Sequence, residues 1–371
     1  MSRIFILVND ESTIYNFRRE LIEMLISLGH QVIAAFPRGG NRTDEIEKMG
    51  CTYIDLPMER KSKNPLKDLL LNTKIKKLLK SYLPDVLLTF TIKPNLYGGH
   101  ASGKLGIPQI ANITGLGTAI ENSGWMKTIS LIMYKIFMKE TNCIFFQNAE
   151  NMRFLQNKGI AVKSGKLIPG SGVNLKKFTV LPYPDDAAIR FTYIGRIMKQ
   201  KGIEELLKAA KTIKKVYSNV EFHIVGPCEE DYGKVLSDHE KDNIIKYHGE
   251  ANNTFQFHEQ SHCTIHPSYY PEGMSNVLLE SAACGRPIIT TDRSGCKEIV
   301  DDGINGFLIK QKSAKDLIEK IEQFLNLDNS VKEKMGLAGR EKVEMEFDRD
   351  IVIKAYLNEL ERCISKWSPH G

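Results

Sequence analysis

Short apolar runs alternate with longer polar or amphipathic stretches along the first half of the chain. The apolar runs predict strands at 4–8, 32–36, 52–56, 86–90 and 109–113. Helices are predicted between them, at 15–28, 43–49, 65–82 and 96–105. This alternation is typical of parallel βαβ units with helices on both faces of one sheet.

A stretch rich in turn-forming residues, at 169–186, separates this series from a second one. The second series predicts strands at 189–194, 220–225, 244–247, 263–266 and 287–291. Its helices are predicted at 203–217, 276–284 and 314–325, and a last helix at about 349–366 has no strand after it. The predicted fold class is therefore α/β, with two doubly wound Rossmann-like domains facing a cleft. Ligands of such sheets bind at the carboxyl ends of the strands.

The length of 371 residues exceeds what one hydrophobic core usually fills, which also favours two domains. Hydrophobic residues at 42% and charged residues at 26% are ordinary for a soluble globular protein, and the apolar N-terminal stretch is too short for a signal peptide. No apolar run reaches the roughly 18 residues of a membrane span. The seven cysteines are scattered without a Cys-x-x-Cys pair, which argues against disulfides and favours reduced thiols in the cytoplasm.

The formal charge of +6 is unevenly distributed. Residues 1–180 carry 25 Lys and Arg against 14 Asp and Glu, or +11, and residues 181–371 carry 26 against 31, or −5. A basic first half indicates a polyanion, a phosphate-rich ligand or an anionic membrane surface. The sequence has no basic recognition helix and no aromatic-rich nucleic-acid motif, so we do not expect nucleic acid as a partner.

The strongest candidate for chemistry is the string at 267–287, where a predicted strand leads through a Gly273 turn into a helix. The first amides of that helix, from Met274, Ser275 and Asn276, predict an anion site. Two acids lie eight residues apart, Glu272 before the helix and Glu280 inside it. One could contact a sugar and the other a ribose. The alternative is that Glu280 is a solvated helix residue and Ser275 only a helix cap.

A second candidate begins where the strand at 189–194 ends. Gly195 turns the chain, and two cations follow it, Arg196 and Lys201. A nucleoside diphosphate leaving group gains negative charge as its bond to the sugar breaks, and such cations stabilise that charge. The alternative is a basic loop on the surface. We expect neither cation to lie in the core.

Together these strings resemble the family-4 glycosyltransferases, which have the GT-B fold. The resemblance implies an N-terminal acceptor-binding domain at 1–170, joined by the C-terminal helix at about 350–371, and a nucleotide-sugar-binding domain at 171–349. It implies that Arg196 and Lys201 hold the donor diphosphate, that Glu272 contacts sugar hydroxyls and that Glu280 contacts the ribose. The turn at 247–251 would face the base. The implied donor-binding residues are Gly195, Gly226, Gly249, Glu250, Gly273, Met274, Ser275, Asn276 and Glu280.

The strings at 12–18, 91–98 and 112–117 resemble one subgroup, which builds capsule, O-antigen or N-glycan precursors on polyprenyl diphosphate. This similarity implies a retaining hexosyltransferase that moves an N-acetylhexosamine or related sugar from a UDP-sugar to a lipid-linked saccharide. The first loop lacks the Gly-Gly pair of many members, and Thr114-Gly115 stands where many have a histidine. The implied residues facing the acceptor or the sugar are Ser12, Thr13, Tyr15, Arg18, Lys93, Asn95, Thr114 and Gly115.

Several alternatives remain. No cofactor or metal is expected, because the strand predicted at 263–266 keeps His258, His262 and His266 from sharing a face, and Asp348-Arg349-Asp350 is better explained as a helix start. A UDP-N-acetylglucosamine 2-epimerase would share the two-domain shape, but lacks the pair of acids. A non-catalytic sugar-nucleotide-binding subunit is a further alternative, but the presence of both cations and both acids argues against it.

Two amphipathic segments, at 60–80 and 125–138, predict either ordinary packing helices or contact with anionic lipid at the inner face of the cytoplasmic membrane. The expected cations are Lys61, Lys63, Lys67, Lys74, Lys76, Lys77 and Lys80. Shallow insertion is expected of Trp125, Met126, Ile129 and Met133.

Overall fold

The computed structural model describes residues 1–39, 42–59, 65–117, 120, 124–251 and 253–366. The chain forms two compact units, one of Met1–Ser171 with Asp350–Gly371 and one of Gly172–Arg349. Each unit is a parallel sheet with helices on both faces, which confirms the predicted α/β class. Lys61 and Lys63, which the sequence assigns to lipid contact, lie outside the described residues.

The first unit contains seven parallel strands in the order β3-β2-β1-β4-β5-β6-β7. Their bounds are β1 Arg3–Leu7, β2 Gln31–Phe36, β3 Thr52–Asp55, β4 Val86–Phe90, β5 Gln109–Ile113, β6 Cys143–Phe146 and β7 Gly165–Leu167. The central strands β4, β5 and β6 are buried throughout, as expected for a parallel sheet covered on both faces.

Helices cover both faces of this sheet. They are α1 Glu11–Phe17, α2 Arg19–Ser27, α3 Thr43–Lys48, α4 Pro65–Tyr82, α5 Ile92–Gly103, α6 Trp125–Phe137 and α7 Ala149–Gln156. Side chains of α1, α2 and α3 pack on one face, and those of α4 and α5 on the other. The helix predicted at 15–28 is two helices, because the Asp10 side chain accepts the Thr13 amide at 2.8 Å and starts α1 early. The backbone then breaks at Arg18, where φ is −130°.

The second unit contains six parallel strands in the order β10-β9-β8-β11-β12-β13. Their bounds are β8 Ile189–Ile194, β9 Val220–Val225, β10 Lys246–Tyr247, β11 Cys263–His266, β12 Ile288–Thr291 and β13 Gly306–Ile309. Its helices are α8 Ile203–Val216, α9 Gly233–Lys241, α10 Phe255–Gln260, α11 Asn276–Ala283, α12 Ala314–Leu325 and α13 Asn329–Glu346.

The final helix, α14 Arg349–Lys366, returns to the first unit from its second residue onward. Its apolar stripe includes Val352, Tyr356 and Leu360, and the Tyr356 ring packs against Phe90 and Phe145 of the first sheet. The Asn112 side-chain amide donates to the Tyr356 hydroxyl at 2.6 Å, so this contact has a fixed register. Among the described residues, no helix combines the length and the apolar character that crossing a bilayer requires.

Candidate functional site

A buried ion pair joins the two main candidate strings of the second unit. The Lys201 ammonium contacts the Glu272 carboxylate, and their side chains are 10% and 12% exposed. The expectation that Lys201 lies outside the core is wrong, because this pairing requires the loop after β8 to approach the end of β11. Gly202 allows that approach: its φ is +78°, and a Cβ there would lie 2.2 Å from the Pro267 carbonyl oxygen.

Three neighbours complete the surroundings of Glu272. The Ser268 hydroxyl donates to its carboxylate at 3.1 Å, and His266 Nε2 lies 3.5 Å away. Burial by itself raises the pKa of the Glu272 carboxyl, but the charge of Lys201 and the hydrogen bond with His266 outweigh burial. The net pKa lies well below the usual range, so Glu272 is held as a carboxylate.

Arg196, which also follows strand β8, is likewise paired with a carboxylate. Its guanidinium donates to Glu229 at 3.0 Å, and its Cζ lies 4.9 Å from the ring centre of Tyr270. Lys201 Nζ lies 5.4 Å from the same centre, so one aromatic ring contacts both cations. The surface-loop alternative is therefore wrong for this pair. The sequence analysis assigned no role to Tyr270 or Glu229. A usable signal for Tyr270 was its place within the string at 267–287, two residues before Glu272.

The loops that end β8, β9 and β10 are joined by backbone contacts. The Gly195 amide donates to the Val225 carbonyl at 2.9 Å, and the Gly226 amide donates to the Gly249 carbonyl at 2.7 Å. Only glycine fits at Gly226, because its φ is +141° and a Cβ would lie 1.9 Å from the Gly195 oxygen. Glu250 is exposed on the last of these loops. Three of the predicted donor-binding glycines therefore lie together.

The start of helix α11 differs from the prediction in one respect. The Ser275 amide donates to the Gly295 carbonyl at 2.7 Å, so it is not available to an anion. Ser275 also makes no side-chain cap, because its hydroxyl lies 3.4 Å from His266 Nε2. Met274 is buried, and Asn276 is the first helical residue. The predicted anion site is thus narrower than the sequence indicated.

Glu280 lies inside α11 and is only 19% exposed, so it is not a solvated helix residue. Its carboxylate accepts from the Thr254 hydroxyl at 3.2 Å and lies 3.8 Å from His258 Nε2. Thr254 comes three residues after the turn at 247–251. These contacts hold Glu280 near the loop that the sequence analysis assigns to the nucleotide base. Glu280 and Glu272 therefore have different neighbours.

One group of side chains has spacing suited to a metal ion in the part of the chain that the structure describes. Ligand atoms of His266, Glu272 and Cys296 all lie within 4.8 Å of one another. However, Glu272 already pairs with Lys201, and burial raises the pKa of the Cys296 thiol, which keeps it protonated. Because metals bind thiolates rather than thiols, this group fits a metal poorly. That the reaction needs no metal stays a prediction.

In the first unit, the candidate residues follow adjacent strands. Ser12 and Thr13 follow β1, Lys93 and Asn95 follow β4, and Thr114 and Gly115 follow β5. The parallel order β1-β4-β5 therefore brings them to one edge of the sheet. Ser12 is exposed, and Tyr15 packs beside Arg42, whose Cζ is 4.9 Å from the Tyr15 ring centre.

Several of these residues have structural partners that the sequence did not predict. Asp10 caps helix α1 by accepting from the Thr13 amide and hydroxyl, and the Lys93 ammonium binds Asp68 at 2.7 Å. The Asn95 side-chain amide donates to the Asn112 carbonyl at 2.8 Å, with Asn95 buried. Arg18 is also buried, with its Cζ 4.5 Å from the Phe90 ring centre. That the Arg18 side chain faces an acceptor or a sugar stays a prediction.

Three buried polar atoms at this edge have no hydrogen-bond partner among the described residues: Asn9 Oδ1, Thr91 Oγ1 and Asn95 Oδ1. Thr91 also has φ +73°, a left-handed conformation that β-branched residues rarely adopt. Orphaned polar atoms and backbone strain concentrate at functional sites. Sequence reasoning missed Asn9 and Thr91 as site residues, although their positions just after β1 and β4 were a usable signal.

Comparison with known proteins places both halves in one class of enzyme. Residues 183–342 match the family model of glycosyl transferases group 1, and residues 3–148 match the glycosyl transferase 4-like model. A Campylobacter jejuni protein named N,N'-diacetylbacillosaminyl-diphospho-undecaprenol alpha-1,3-N-acetylgalactosaminyltransferase is 26% identical over 98% of this chain and 99% of its own. The Staphylococcus aureus capsular polysaccharide biosynthesis glycosyltransferase CapM is 32% identical over 43% of this chain and 42% of its own.

Solved structures have the same architecture. The Anabaena protein HepE, crystallised in complex with UDP, is 16% identical and superposes with a TM-score of 0.79 over 97% of this chain and 100% of its own. Sucrose-phosphate synthase from Thermosynechococcus elongatus is 19% identical, with a TM-score of 0.80 over 99% of this chain and 100% of its own. The predictions of a GT-B fold and of a hexosyltransferase enzyme are confirmed by these matches. Because each half matches a glycosyltransferase family model and the sheets are arranged as in these structures, the chain is a glycosyltransferase of GT-B fold.

Proposed function

We propose that the protein is a retaining glycosyltransferase that moves a sugar, an N-acetylhexosamine, from a UDP-sugar to a polyprenyl-diphosphate-linked saccharide. The observation that carries this proposal is the pair of cations on one aromatic ring. Arg196 and Lys201 both pack on Tyr270, and each holds a carboxylate, Glu229 or Glu272, that a diphosphate could replace. The acceptor class rests on the similarity to the Campylobacter jejuni enzyme, whose name specifies a diphospho-undecaprenol-linked sugar.

The proposed chemistry follows from where these charges lie. The bond between the anomeric carbon and the β-phosphate oxygen breaks, and Arg196 and Lys201 stabilise the negative charge that develops on the diphosphate. The acceptor hydroxyl attacks from the same face and forms the new glycosidic bond. Its proton passes to the departing phosphate oxygen, so no carboxylate nucleophile is required, and the sugar keeps its anomeric configuration.

The two acids would then have separate roles. Glu272 lies beside Lys201 and accepts from Ser268, so it is placed to accept from sugar hydroxyls once a diphosphate engages the lysine. Glu280 contacts Thr254 instead, near the turn proposed to face the base, and would accept from the ribose hydroxyls. Both acceptors are charged, which strengthens such hydrogen bonds.

The first unit would bind the acceptor. The orphaned polar atoms of Asn9, Thr91 and Asn95 lie at its ligand-binding edge and offer hydrogen bonds that the chain itself does not use. Since the acceptor's polyprenyl tail stays in lipid, the enzyme would work at the inner face of the cytoplasmic membrane. Polysaccharide relatives such as CapM support a role in capsule, O-antigen or related glycan synthesis.

One incubation tests the proposal. The purified protein is mixed with a panel of UDP-sugars and a short-chain polyprenyl-diphosphate-linked saccharide, and products are identified by mass spectrometry and by the anomeric coupling constants. A new α-glycoside from an α-linked donor supports the proposal. An epimerised UDP-sugar without transfer would identify an isomerase, and UDP-sugar binding without any product a regulatory subunit. The Arg196→Ala variant serves as the matched control for contaminating transferases.

A further inference from the structure

Helix α6 carries a stripe of exposed apolar side chains on its outer face. Trp125, Ile129, Ile132 and Ile136 are 71%, 45%, 51% and 60% exposed. At about 100° per residue their spacing places all four within an arc of about 60°. Tyr134, on the opposite side of the helix, is buried. A continuous exposed apolar stripe of this kind marks an interaction surface rather than ordinary scatter.

Helix α4 has an outer face of mixed character. Its inward face buries Leu71, Ile75 and Leu79 in the core of the first unit. On the outer face the first turns expose leucines, and the later turns expose lysines. The leucines are Leu66, Leu69 and Leu70, at 72%, 62% and 62% exposed, and the lysines are Lys74, Lys77 and Lys80.

The two helices lie on the same face of the first sheet. Both pack on α5, most of which is buried beneath them, and both contribute to the cluster on that face. In a parallel sheet each crossover helix begins at the carboxyl edge of the strands. The bond between Lys93, just after β4, and Asp68 in the first turn of α4 confirms this for α4. The exposed leucines and Trp125 therefore lie toward the edge that carries Thr91 and Asn95.

The charge around these apolar residues is positive. Helix α4 contains five lysines and one acid, Asp68, which is already paired with Lys93. Helix α6 contains Lys127 and Lys135 and no acid. Exposed apolar side chains beside the lysines of α4 are complementary to the boundary between acyl chains and anionic headgroups of a phospholipid bilayer.

We infer that the outer faces of α4 and α6 form a membrane-docking surface, and that its occupant is an anionic phospholipid bilayer. The stripe on α6 and the leucines of α4 enter the headgroup boundary, while the lysines bind headgroups. Met133 does not take part, because it packs inward against the core. This inference rests on the proposed function, in which the acceptor is held in a membrane. It adds the surface that would bring the acceptor-binding edge of the first unit to the lipid.

Trp125 provides a direct probe. The chain has two tryptophans, so a Trp367→Phe variant reports on Trp125 alone. Its emission should shift to the blue, and brominated lipids should quench it, when vesicles of phosphatidylglycerol and phosphatidylcholine are added. Vesicles of phosphatidylcholine alone should have little effect. An unshifted emission with the anionic vesicles, at a lipid concentration that sediments a polybasic control peptide, would overturn the inference.

A double variant, Ile129→Glu with Ile132→Glu, tests the stripe itself. We expect at least about a tenfold loss of partition into anionic vesicles, since insertion depends on buried apolar area, with UDP affinity unchanged. Val216→Glu, at a valine of the second unit that is 70% exposed, is the control and should bind vesicles normally. Unchanged partition of the double variant contradicts the inference.

Two further outcomes separate this inference from others. If the double variant instead dissociates a lipid-free dimer in sedimentation velocity, the stripe is a contact between copies and the lipid assignment is wrong. Vesicle binding requires neither donor nor turnover. Vesicle binding without transfer to any acceptor would therefore contradict the proposed function but support the membrane-docking surface. Transfer without vesicle binding would support the proposed function but contradict the docking surface.

Discussion

The buried pair of Lys201 and Glu272 predicts an unusual pattern of stability. In Lys201→Met, Glu272 would remain in a site that excludes most water, without its counter-charge. Breaking a buried pair in this way costs about 3–5 kcal/mol of the free energy of unfolding. For a unit of this size, each kcal/mol corresponds to roughly 2–4 °C, so the Tm of the second unit should fall by roughly 6–20 °C.

The pH dependence of that loss has a definite sign. In the native protein the pKa of Glu272 is lowered, so its pair contributes stability above the ordinary carboxyl pKa and loses it as the pH falls through the lowered value. In Lys201→Met, burial still raises this pKa while the largest opposing cause is gone. The variant is then most destabilised above the ordinary carboxyl pKa, and its deficit in Tm should be larger at pH 8 than at pH 5.

The assay is thermal unfolding of Lys201→Met, Glu272→Gln and the double variant at both pH values. The double variant leaves no unpaired charge and should recover most of the loss. Arg196→Met is the comparison variant, because its pair with Glu229 is about a quarter exposed against about a tenth for Lys201 and Glu272, so its loss in Tm should be smaller. A double variant whose loss equals the sum of the single losses, or a deficit that does not change with pH, would refute the reasoning.

Four further predictions concern turnover and UDP binding. Arg196→Ala should remain folded and reduce turnover by roughly a hundredfold, the scale of losing one charge-stabilising group. Tyr270→Phe should keep its affinity for UDP, whereas the affinity of Tyr270→Leu should fall about tenfold, because two cations pack on the aromatic ring. Glu280→Gln should weaken UDP binding in calorimetry, whereas Glu272→Gln should keep UDP affinity and lose turnover; an equal loss of affinity in both contradicts the division of roles. Turnover should survive saturating EDTA, and complete loss restored by magnesium or manganese would contradict the proposed stabilisation of the leaving group.

The periodicity of the sequence predicted most of the fold. The strands Val86–Phe90, Gln109–Ile113 and Ile189–Ile194 have the predicted bounds because each is a continuous run buried between two layers of helices. Three strands were missed. Cys143–Phe146 and Gly306–Ile309 have four residues each, and Gly165–Leu167 has three, two of them exposed, so no clear periodicity marks them.

The site was predicted less completely, and the reason is physical. Residue types near Gly195 and Gly273 indicated phosphate chemistry, since local sequence specifies strand ends and helix starts. Pairings between distant segments depend on how the loops approach each other. The contact of Lys201 with Glu272 joins residues 71 apart, and the amide of Ser275 donates to Gly295 across a separate loop. Neither contact has a signal in the local pattern.

The position of helix α14 determines which of the two units can complete its fold first during synthesis. Residues 1–171 leave the ribosome before the second unit, but the helix that covers Phe90 and Phe145 emerges after it. The second unit, which is continuous in sequence, can complete its core first. Until α14 emerges, the first unit exposes an apolar face that attracts chaperones or other nascent chains. A released chain truncated before residue 350 should therefore contain a protease-resistant second unit beside a protease-sensitive first one.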